Sequence, residues 1–284
     1  MKLWIKLETL RECITISNDR SLPPRFLLAS LQLQHVLRAK GKRNMKAALG
    51  TIPSTTDAAF ENILERIEQQ ELGSKITALR TLTWCYYARR PLRVDELCEA
   101  LVVEDGDISH RDNEINAGSV VDCCLSFTTH DLSTDEFRLI HPSVQRWFDH
   151  EPQHQKLLPH SYLAKTCLTY LNFDVFDSFA YQEVARDTIQ RHLVTYRFYR
   201  YAARFWATHT KDAELELGVQ KAAFAFLAAE NRRELMLRTR DIDDVLFAMF
   251  DSEMYVRRGQ TPLHMTADHG LVVLCNLLLS SNSR

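Results

Sequence analysis

The sequence predicts a mainly α-helical protein that carries one small β-hairpin, and three observations lead to this fold class. Glycine and proline are scarce, with 8 of each among 284 residues, so long β-rich or disordered stretches are not expected. Apolar residues recur at the spacing of one helix face, as at Phe60, Ile63, Leu64 and Ile67. Two short β-prone runs, residues 125–130 and 137–141, are separated by a polar turn.

The overall composition argues against several classes of protein. Hydrophobic residues make up 45% of the chain and charged residues 25%, as in an ordinary soluble globular protein. The formal net charge of -2 provides no basic field for nucleic acid or an acidic membrane surface. No apolar run approaches the roughly 20 residues that span a bilayer. We therefore expect no nucleic-acid partner and no membrane partner.

Cysteine usage and the N-terminus bear on the compartment. The seven cysteines are odd in number and show no Cys-x-x-Cys spacing, which is typical of thiols in a reducing environment. Residues 1–10 have neither the apolar core nor the cleavage site of a signal peptide, and residues 1–25 as a whole are predicted to be irregular. We expect a cytoplasmic protein, with the nucleus as an open alternative.

The first predicted helical segment is residues 26–72. An apolar stretch over 26–37 is followed by a break at Pro53, and the residues after the break supply capping oxygens for the next helix. That helix carries the apolar stripe from Phe60 to Ile67. A further helical period, with Ile76 as its first apolar position, runs towards Arg90-Pro91, where the proline ends it.

Residues 74–150 have the order of elements of a winged-helix domain. A short helix is predicted over 94–103, a polar loop over 104–116 and a third helix over 119–125. The two β-prone runs then form a hairpin, and Pro142 stands where another helix can begin. Residues 155–255 are predicted to be a helical linker domain whose aromatic residues between 196 and 206 form its core.

The C-terminal segment, residues 257–284, carries the most specific motif. Residues 259–264 (GQTPLH) open the ankyrin consensus, and Gly270 and the leucines 277–279 follow at the spacing of its helix pair. Thr261 and Pro262 begin the first helix, Leu263 and His264 continue the motif, and Gly270 permits the turn. Leu277, Leu278 and Leu279 form the face that would stack on a further repeat. The chain ends before the repeat is complete, so we expect the first, partial repeat of a truncated array.

With these motifs in order, the sequence resembles fungal-type NACHT–ankyrin proteins, which are STAND-class, NLR-like signalling proteins. Residues 90–101 (RPLRVDELCEAL) and 137–148 (FRLIHPSVQRWF) resemble the two ends of a GPI-inositol-deacylase-like winged-helix domain, with Arg146 in place of the usual acidic residue. Residues 160–171 and 201–209 resemble helices of the same proteins. The resemblance implies that residues 26–72 are a helical remnant of the NACHT module. It further implies that the ankyrin end contacts protein partners in signal transduction.

Nucleotide chemistry is not expected. NACHT proteins hold ATP with a G-x-x-x-x-G-K-[ST] run, and this sequence contains none; Gly41-Lys42 lacks the flanking residues. In relatives, the histidine that corresponds to His141 can touch the β-phosphate of bound ADP, so His141 is a cofactor-binding residue by family carry-over alone. A histidine that caps the junction between hairpin and helix is an equally good interpretation. We expect no cofactor, no catalytic residues and no metal site.

Two alternative functions follow from other features of the sequence. His150-Glu151-Pro152-Gln153-His154 matches the H-E-x-x-H zinc pattern, but Pro152 is incompatible with the helix that this chemistry needs. A winged helix could bind DNA, but its candidate helices carry Asp95, Glu96, Glu99 and Asp122 rather than basic residues. We therefore predict a non-catalytic interaction and regulatory module that lacks its NTPase half and can self-associate. Nucleic-acid binding and a non-functional truncated gene product are the alternatives.

Overall fold

The computed structural model describes residues 24–39, 41–109, 115–150, 153–179, 191, 193–247 and 260–281. The fold is mainly helical with a small β-sheet component, as the sequence predicts. Its contacts divide the chain into two units. The first contains the described residues up to Pro91 together with Ala117–Leu157, and the second contains Leu92–Asn116 and the described residues from Leu158 onward.

The first unit is built from six helices and one hairpin among its described residues. The helices are α1 (Pro24–Arg38), α2 (Lys42–Gly50), α3 (Thr56–Glu68), α4 (Leu72–Tyr87), α6 (Ala117–Cys123) and α7 (Pro142–Phe148). Strands β2 (Thr128–Asp131) and β3 (Glu136–Leu139) pair antiparallel in the register Thr128 to Leu139 and Asp131 to Glu136. A 3-10 turn covers Gln153–Lys156. The predicted hairpin and its polar turn are confirmed.

Local sequence explains where α3 begins and which face it buries. The hydroxyl of Thr55 accepts a hydrogen bond from the backbone N–H of Ala58 at 3.1 Å, so Thr55 supplies the expected cap. Phe60, Ile63 and Ile67 are buried along one face, as their spacing predicts. The ring of Phe60 lies 5.8 Å from that of Phe127, next to the hairpin.

One core unites the first unit. The buried residues of α1 and α3, including Leu31 and Phe60, belong to the same cluster as Phe127, Val144 and Phe148. The segment predicted as 26–72 thus shares one hydrophobic core with residues 74–91 and 117–150, whereas Leu92–Asn116 belong to the second unit. Residues 1–23, most of the segment predicted to be irregular, lie outside the described residues.

The buried face of α4 includes polar residues. Ile76, the first apolar position of the predicted helical period, is 39% exposed, whereas Thr81 and Thr83 are fully buried. The reason is that each threonine hydroxyl donates to a carbonyl one turn earlier, Thr81 to Thr77 at 2.8 Å and Thr83 to Leu79 at 2.7 Å. A hydroxyl satisfied by its own helix can be buried at little cost. The helix ends at Tyr87, just before Pro91, as expected.

The second unit begins with the two-residue strand β1 (Leu92–Arg93) and helix α5 (Val94–Val102). Among its described residues follow helices α8 (His160–Leu171), α9 (Tyr199–Asp212), α10 (Leu217–Ala228), α11 (Glu230–Phe247), α12 (Pro262–Asp268) and α13 (Val272–Ser281), with a 3-10 helix over Asp174–Phe179. The polar loop contains a turn, since Gly106 has φ +87 and the N–H of Asp107 donates to the carbonyl of Glu104 at 3.1 Å.

Aromatic side chains form the core of the second unit, as predicted. Phe198, Tyr201 and Trp206 are fully buried, and Tyr199 is 1% exposed. Their rings meet those of α8 and the following 3-10 helix, for example Tyr199 to Phe176 at 4.6 Å between centroids. No described helix is long and apolar enough to cross a membrane.

Candidate functional site

The C-terminal hairpin of α12 and α13 contains the residues that the sequence singles out for interaction. Thr261 caps α12, because its hydroxyl accepts from the N–H of His264 at 3.3 Å. The ring Nδ1 of His264 in turn accepts from the N–H of Thr261 at 3.3 Å and lies 2.8 Å from its hydroxyl. Pro262 is the first residue of the helix, where no N–H donor is needed. The motif therefore fixes the start of α12 by a reciprocal cap.

Gly270 makes the turn between the two helices. Its φ is +63, a left-handed conformation that glycine adopts without strain. The N–H of Leu271 donates to the carbonyl of Thr266 at 2.8 Å, and the N–H of Gly270 donates to that of Ala267 at 3.0 Å. This pair of bonds is the Schellman arrangement that closes a helix C-terminus. The motif thus sets both ends of α12.

The hairpin has a buried face and an exposed face. Met265, Leu271 and Leu274 are at most 1% exposed. In the same helix pair, Leu277 is 36% exposed and Leu279 50% exposed, while Leu263 and Leu278 are partly buried. Val272 adds to the exposed apolar surface at 64%. Val272 and Leu279 lie seven residues apart on the same side of α13, whereas Leu277 projects from another side. We call these three exposed apolar side chains together the outer apolar face.

The buried face is fastened to the preceding helices by polar groups. The side chain of Glu214, between α9 and α10, accepts from the N–H of Leu274 at 2.9 Å. The ring of His269 lies 5.9 Å from that of Trp206 on α9, and its Nε2 lies 3.2 Å from a guanidinium nitrogen of Arg240 on α11. Sequence reasoning missed Glu214, His269 and Arg240. The local sequence gives no sign of these contacts, because the residues in contact are far apart in the chain. Glu214, for example, is 60 residues from Leu274.

His141 lies between strand β3 of the β-hairpin and the start of helix α7. Its Nδ1 accepts from the N–H of Ser143 at 3.0 Å and lies 2.8 Å from the Ser143 hydroxyl, so the imidazole caps α7. Burial of the neighbouring Val144, Trp147 and Phe148 fixes α7 against the core. The geometry gives His141 a capping role within its own helix, which is one of the two interpretations drawn from sequence.

Three of the five residues of the H-E-x-x-H pattern, His150, Gln153 and His154, are among the described residues. Glu151 and Pro152 lie outside the described residues, while the ring of His154 is bonded to the hydroxyl of Tyr87. Across the part of the chain that the structure describes, no three His, Cys, Asp or Glu side chains gather closely enough to hold a metal ion.

The middle of the chain matches a known protein family. Residues 64–157, about a third of the sequence, match the family model of the GPI inositol-deacylase winged helix domain. The chain contains a winged-helix domain of this type. The matched range includes α4, α5, α6, the hairpin and α7, which are the elements of the expected winged-helix domain.

The chain is also similar to one curated fungal protein, described as "Azaphilone pigments biosynthesis cluster protein L" from Monascus ruber. The two are 24% identical over 219 residues, which cover 71% of this chain and 44% of that protein. The chain therefore spans less than half the length of this relative. No solved structure matches the chain.

Proposed function

We propose that the chain is a non-catalytic interaction and regulatory module of a NACHT–ankyrin signalling protein, and that it binds a protein partner through the outer apolar face. The observation that carries the proposal is the two-sided hairpin. Leu271 and Leu274 are buried and the carboxylate of Glu214 fixes α13, yet Leu277 and Leu279 remain exposed. The winged-helix domain and the ankyrin-like capping of α12 are the sequence context that supports this role.

The outer apolar face fits another pair of helices. Repeats of the ankyrin kind bury their cores by stacking one helix pair on the next, so the occupant that we propose is a helical hairpin of a protein partner. Large contiguous apolar patches on a protein surface mark interaction sites. A second copy of this chain presents such a hairpin and can be tested directly.

A nucleic-acid role is less well supported. Helix α6, which precedes the hairpin of the winged-helix domain, contains no lysine or arginine. Glu96 on α5 is 5% exposed and bonds the N–H of Arg93, and the carboxylate of Glu99 bonds the N–H groups of Arg197 and Phe198 at 3.0 Å. The carboxylates of Glu96 and Glu99 thus accept hydrogen bonds from backbone N–H groups of the same protein. Neither α5 nor α6 offers the basic surface that phosphate contacts need.

The interaction is tested on the full chain by sedimentation over a concentration series. We expect concentration-dependent association that is lost in the double variant Leu277→Asn, Leu279→Asn. The matched control is Leu132→Asn, Leu215→Asn, which changes two leucines that are each 84% exposed elsewhere. A monomer at every concentration, together with an unchanged melting temperature and solubility after deletion of residues 259–284, would overturn the proposal.

The non-catalytic part of the proposal has its own test. Without the glycine-rich cradle, backbone N–H groups and a lysine are not arranged around the phosphates of ATP. We expect no ATP hydrolysis above the buffer rate and no micromolar binding of ATP or ADP in calorimetry. Saturable micromolar binding of either nucleotide would contradict it.

A further inference from the structure

A small cleft in the first unit brings polar and apolar side chains together. It lies between α1, α3 and the turn after α6, with Gln34, Asn62 and Arg66 as polar lining residues and Leu31 and Leu125 among the apolar ones. Its free volume is about 10 Å³, which admits one small group. The end of a chain can therefore enter the cleft, whereas an aromatic ring cannot. The cleft has no part in the function proposed above, which rests on the C-terminal hairpin.

Arg66 is a partly buried cation without an acidic partner. Its guanidinium makes no ion pair or hydrogen bond with any residue that the structure describes. Burial lowers the pKa of this guanidinium, and no carboxylate among the described residues counters the effect. Arginines that are drawn out of water are normally paired with an acceptor. An anion bound in the cleft would supply the partner that the described part of the chain does not provide.

The acidic residues around the cleft lie on another side of α3 or on another element. Those of α3 recur at helical spacing away from Asn62 and Arg66, at Asp57, Glu61, Glu65 and Glu68. The carboxylate of Glu68 pairs with Lys156 at 3.0 Å, and those of Glu61 and Glu65 also raise the pKa of this lysine. None of these carboxylates lines the cleft, nor does Asp122 of α6, and α1 contains no acidic residue. The described lining residues therefore carry a net positive charge, which comes from Arg66.

Two side-chain amides add N–H donors beside the guanidinium. Asn62 lies one helical turn before Arg66, so both side chains are on the same side of α3. The amide of Asn62 makes no hydrogen bond within the part of the chain that the structure describes. The amide oxygen of Gln34 accepts from the hydroxyl of Ser126, which ties α1 to the turn after α6 and leaves the N–H groups of Gln34 as donors. The cleft thus presents donors from three side chains to an incoming acceptor.

Further contacts hold the walls of the cleft in place. The Nε2 of Gln32 donates to the carbonyl of Pro53 at 2.7 Å. The Nε2 of His35, another lining residue, lies 3.3 Å from the hydroxyl of Thr51. Both contacts tie α1 to the loop before α3. Leu125 has φ +49, a left-handed conformation that persists in a leucine only where the surroundings fix it. Walls that are already fixed lower the ordering cost of binding a ligand.

We propose that this cleft binds a carboxylate group, with the carboxylate oxygens on Arg66 and Asn62 and its carbon chain against Leu31 and Leu125. A planar guanidinium pairs with a carboxylate through two parallel N–H···O bonds. The single charge of Arg66 matches one carboxylate, whereas a phosphate monoester brings about two negative charges into a cleft with apolar walls. A free short-chain carboxylic acid and the acidic side chain of a protein share this chemistry.

The experiment is a titration of the full chain with butyrate, with inorganic phosphate and with butyramide, the uncharged analogue of butyrate. Ligand-observed NMR at constant ionic strength measures the binding. We expect saturable millimolar binding of butyrate, at least severalfold weaker binding of phosphate, and no binding of butyramide. Absence of saturable butyrate binding, or equal affinity for butyrate and phosphate, would overturn the proposal.

A pair of blocked peptides separates the two sources of the carboxylate. A glycyl-glutamyl-glycine peptide with both ends blocked carries one acidic side chain, and its glutamine counterpart carries none. Tighter binding of the glutamyl peptide than of butyrate assigns the cleft to an acidic side chain of a protein. Tighter binding of butyrate assigns it to a free acid, and both results support a carboxylate site. Binding of the glutamine peptide as tight as that of the glutamyl peptide would contradict the proposal.

Two arginine variants separate a binding role of Arg66 from a structural one. Arg66→Met keeps the aliphatic stem and removes the charge, so it should weaken butyrate binding about tenfold, the effect of losing a charged hydrogen-bonding partner. Without ligand this variant should unfold at the same or a higher urea concentration than the parent, because a desolvated cation has been removed. Arg43→Met changes an exposed arginine of α2 that does not line the cleft, and it should leave butyrate binding unchanged. Unchanged butyrate binding in Arg66→Met, or a lower urea midpoint, would show that the guanidinium serves the fold alone.

Discussion

The carboxylate of Glu214 accepts a hydrogen bond from the backbone N–H of Leu274 at 2.9 Å, and this contact fastens the C-terminal hairpin to the helices before it. Leu274 is the third residue of α13, so the carboxylate meets an N–H that has no partner within its own helix. The side chain of Glu214 is buried, which makes the loss of its partner costly.

Replacing Glu214 with alanine should therefore loosen the hairpin. We expect a loss of about 1–3 kcal/mol in the stability of α12 and α13, because a buried helix N-terminus loses its charged acceptor. Hydrogen exchange should become faster across residues 262–281 and stay unchanged in α3 and α4. Glu216→Ala is the control, since Glu216 is exposed and its side chain makes no capping bond at the start of α10. Equal effects of the two substitutions would contradict the prediction.

The turn at Gly270 should resist any side chain. Gly270→Ala places a Cβ on a residue with φ +63 and 3.2 Å from the ammonium of Lys211. We expect a loss of about 1–2 kcal/mol from the left-handed conformation, measured by urea unfolding. Gly50→Ala, at the end of α2 where a Cβ meets nothing within 4 Å, should change stability little. A neutral Gly270→Ala would show that the turn relaxes freely.

Local sequence predicted the features that depend on a few neighbouring residues. Thr55, Pro142, Thr261 and Gly270 lie where their intrinsic chemistry places them, at helix starts and at a turn. The hairpin followed from two β-prone runs and the polar residues between them. Each helix start and each turn depends on residues that lie close together in the chain, so the local sequence pattern is enough to predict it.

Contacts between distant elements could not be predicted in the same way. In the sequence Glu99 and Glu214 look like surface residues, yet each carboxylate binds backbone N–H groups at the start of a helix that is distant in the chain, 98 and 60 residues away. The buried face of α4 is a further example. The helical spacing of apolar residues does not show that Thr81 and Thr83 donate their hydroxyl hydrogen bonds to carbonyls of the same helix. With those bonds made, both side chains can lie on the buried face of α4.

Arg232 on α11 provides a third long-range anchor and a further prediction. Its guanidinium bonds Asp177 at 3.0 Å and 2.5 Å, Asp174 at 3.0 Å and the carbonyl of Asn172, and its side chain is 14% exposed. These hydrogen bonds of the Arg232 guanidinium group, which we call the Arg232 fork, hold the 3-10 helix Asp174–Phe179 against the end of α8. Arg232→Lys should cost about 1–2 kcal/mol, because an ammonium cannot satisfy three partners in this planar arrangement.

The control for Arg232 lies on the same helix. Arg238 pairs with Glu234 at 2.9 Å in an i,i+4 arrangement, and such pairs contribute about 0.3–0.5 kcal/mol. Arg238→Lys should therefore leave the urea midpoint nearly unchanged. If both lysine variants unfold at the same urea concentration as the parent, the Arg232 fork contributes no measurable stability.

Buried thiols predict that the protein loses stability at alkaline pH. Burial raises the pKa of the Cys85 thiol to about 12 and raises that of the Cys167 thiol well above its usual range. In the unfolded chain these thiols ionise near pH 8.5, about the value of an unperturbed cysteine. Above that pH the unfolded state has released protons that the folded state still holds, so the free energy of unfolding falls as pH rises.

The size of the effect can be measured on one thiol. Between about pH 8.5 and 10, each such thiol should remove roughly 1.4 kcal/mol of stability per pH unit. Cys167→Ala removes one of them, so its stability should decline less steeply with pH in urea unfolding under reducing conditions. Thr166→Ala is the control on the same helix, a buried residue without a titrating group, which should lower stability equally at every pH. Parallel pH profiles for the parent chain and Cys167→Ala would mean that the thiol ionises in the folded protein as readily as in the unfolded one, contrary to its burial in the core of the second unit.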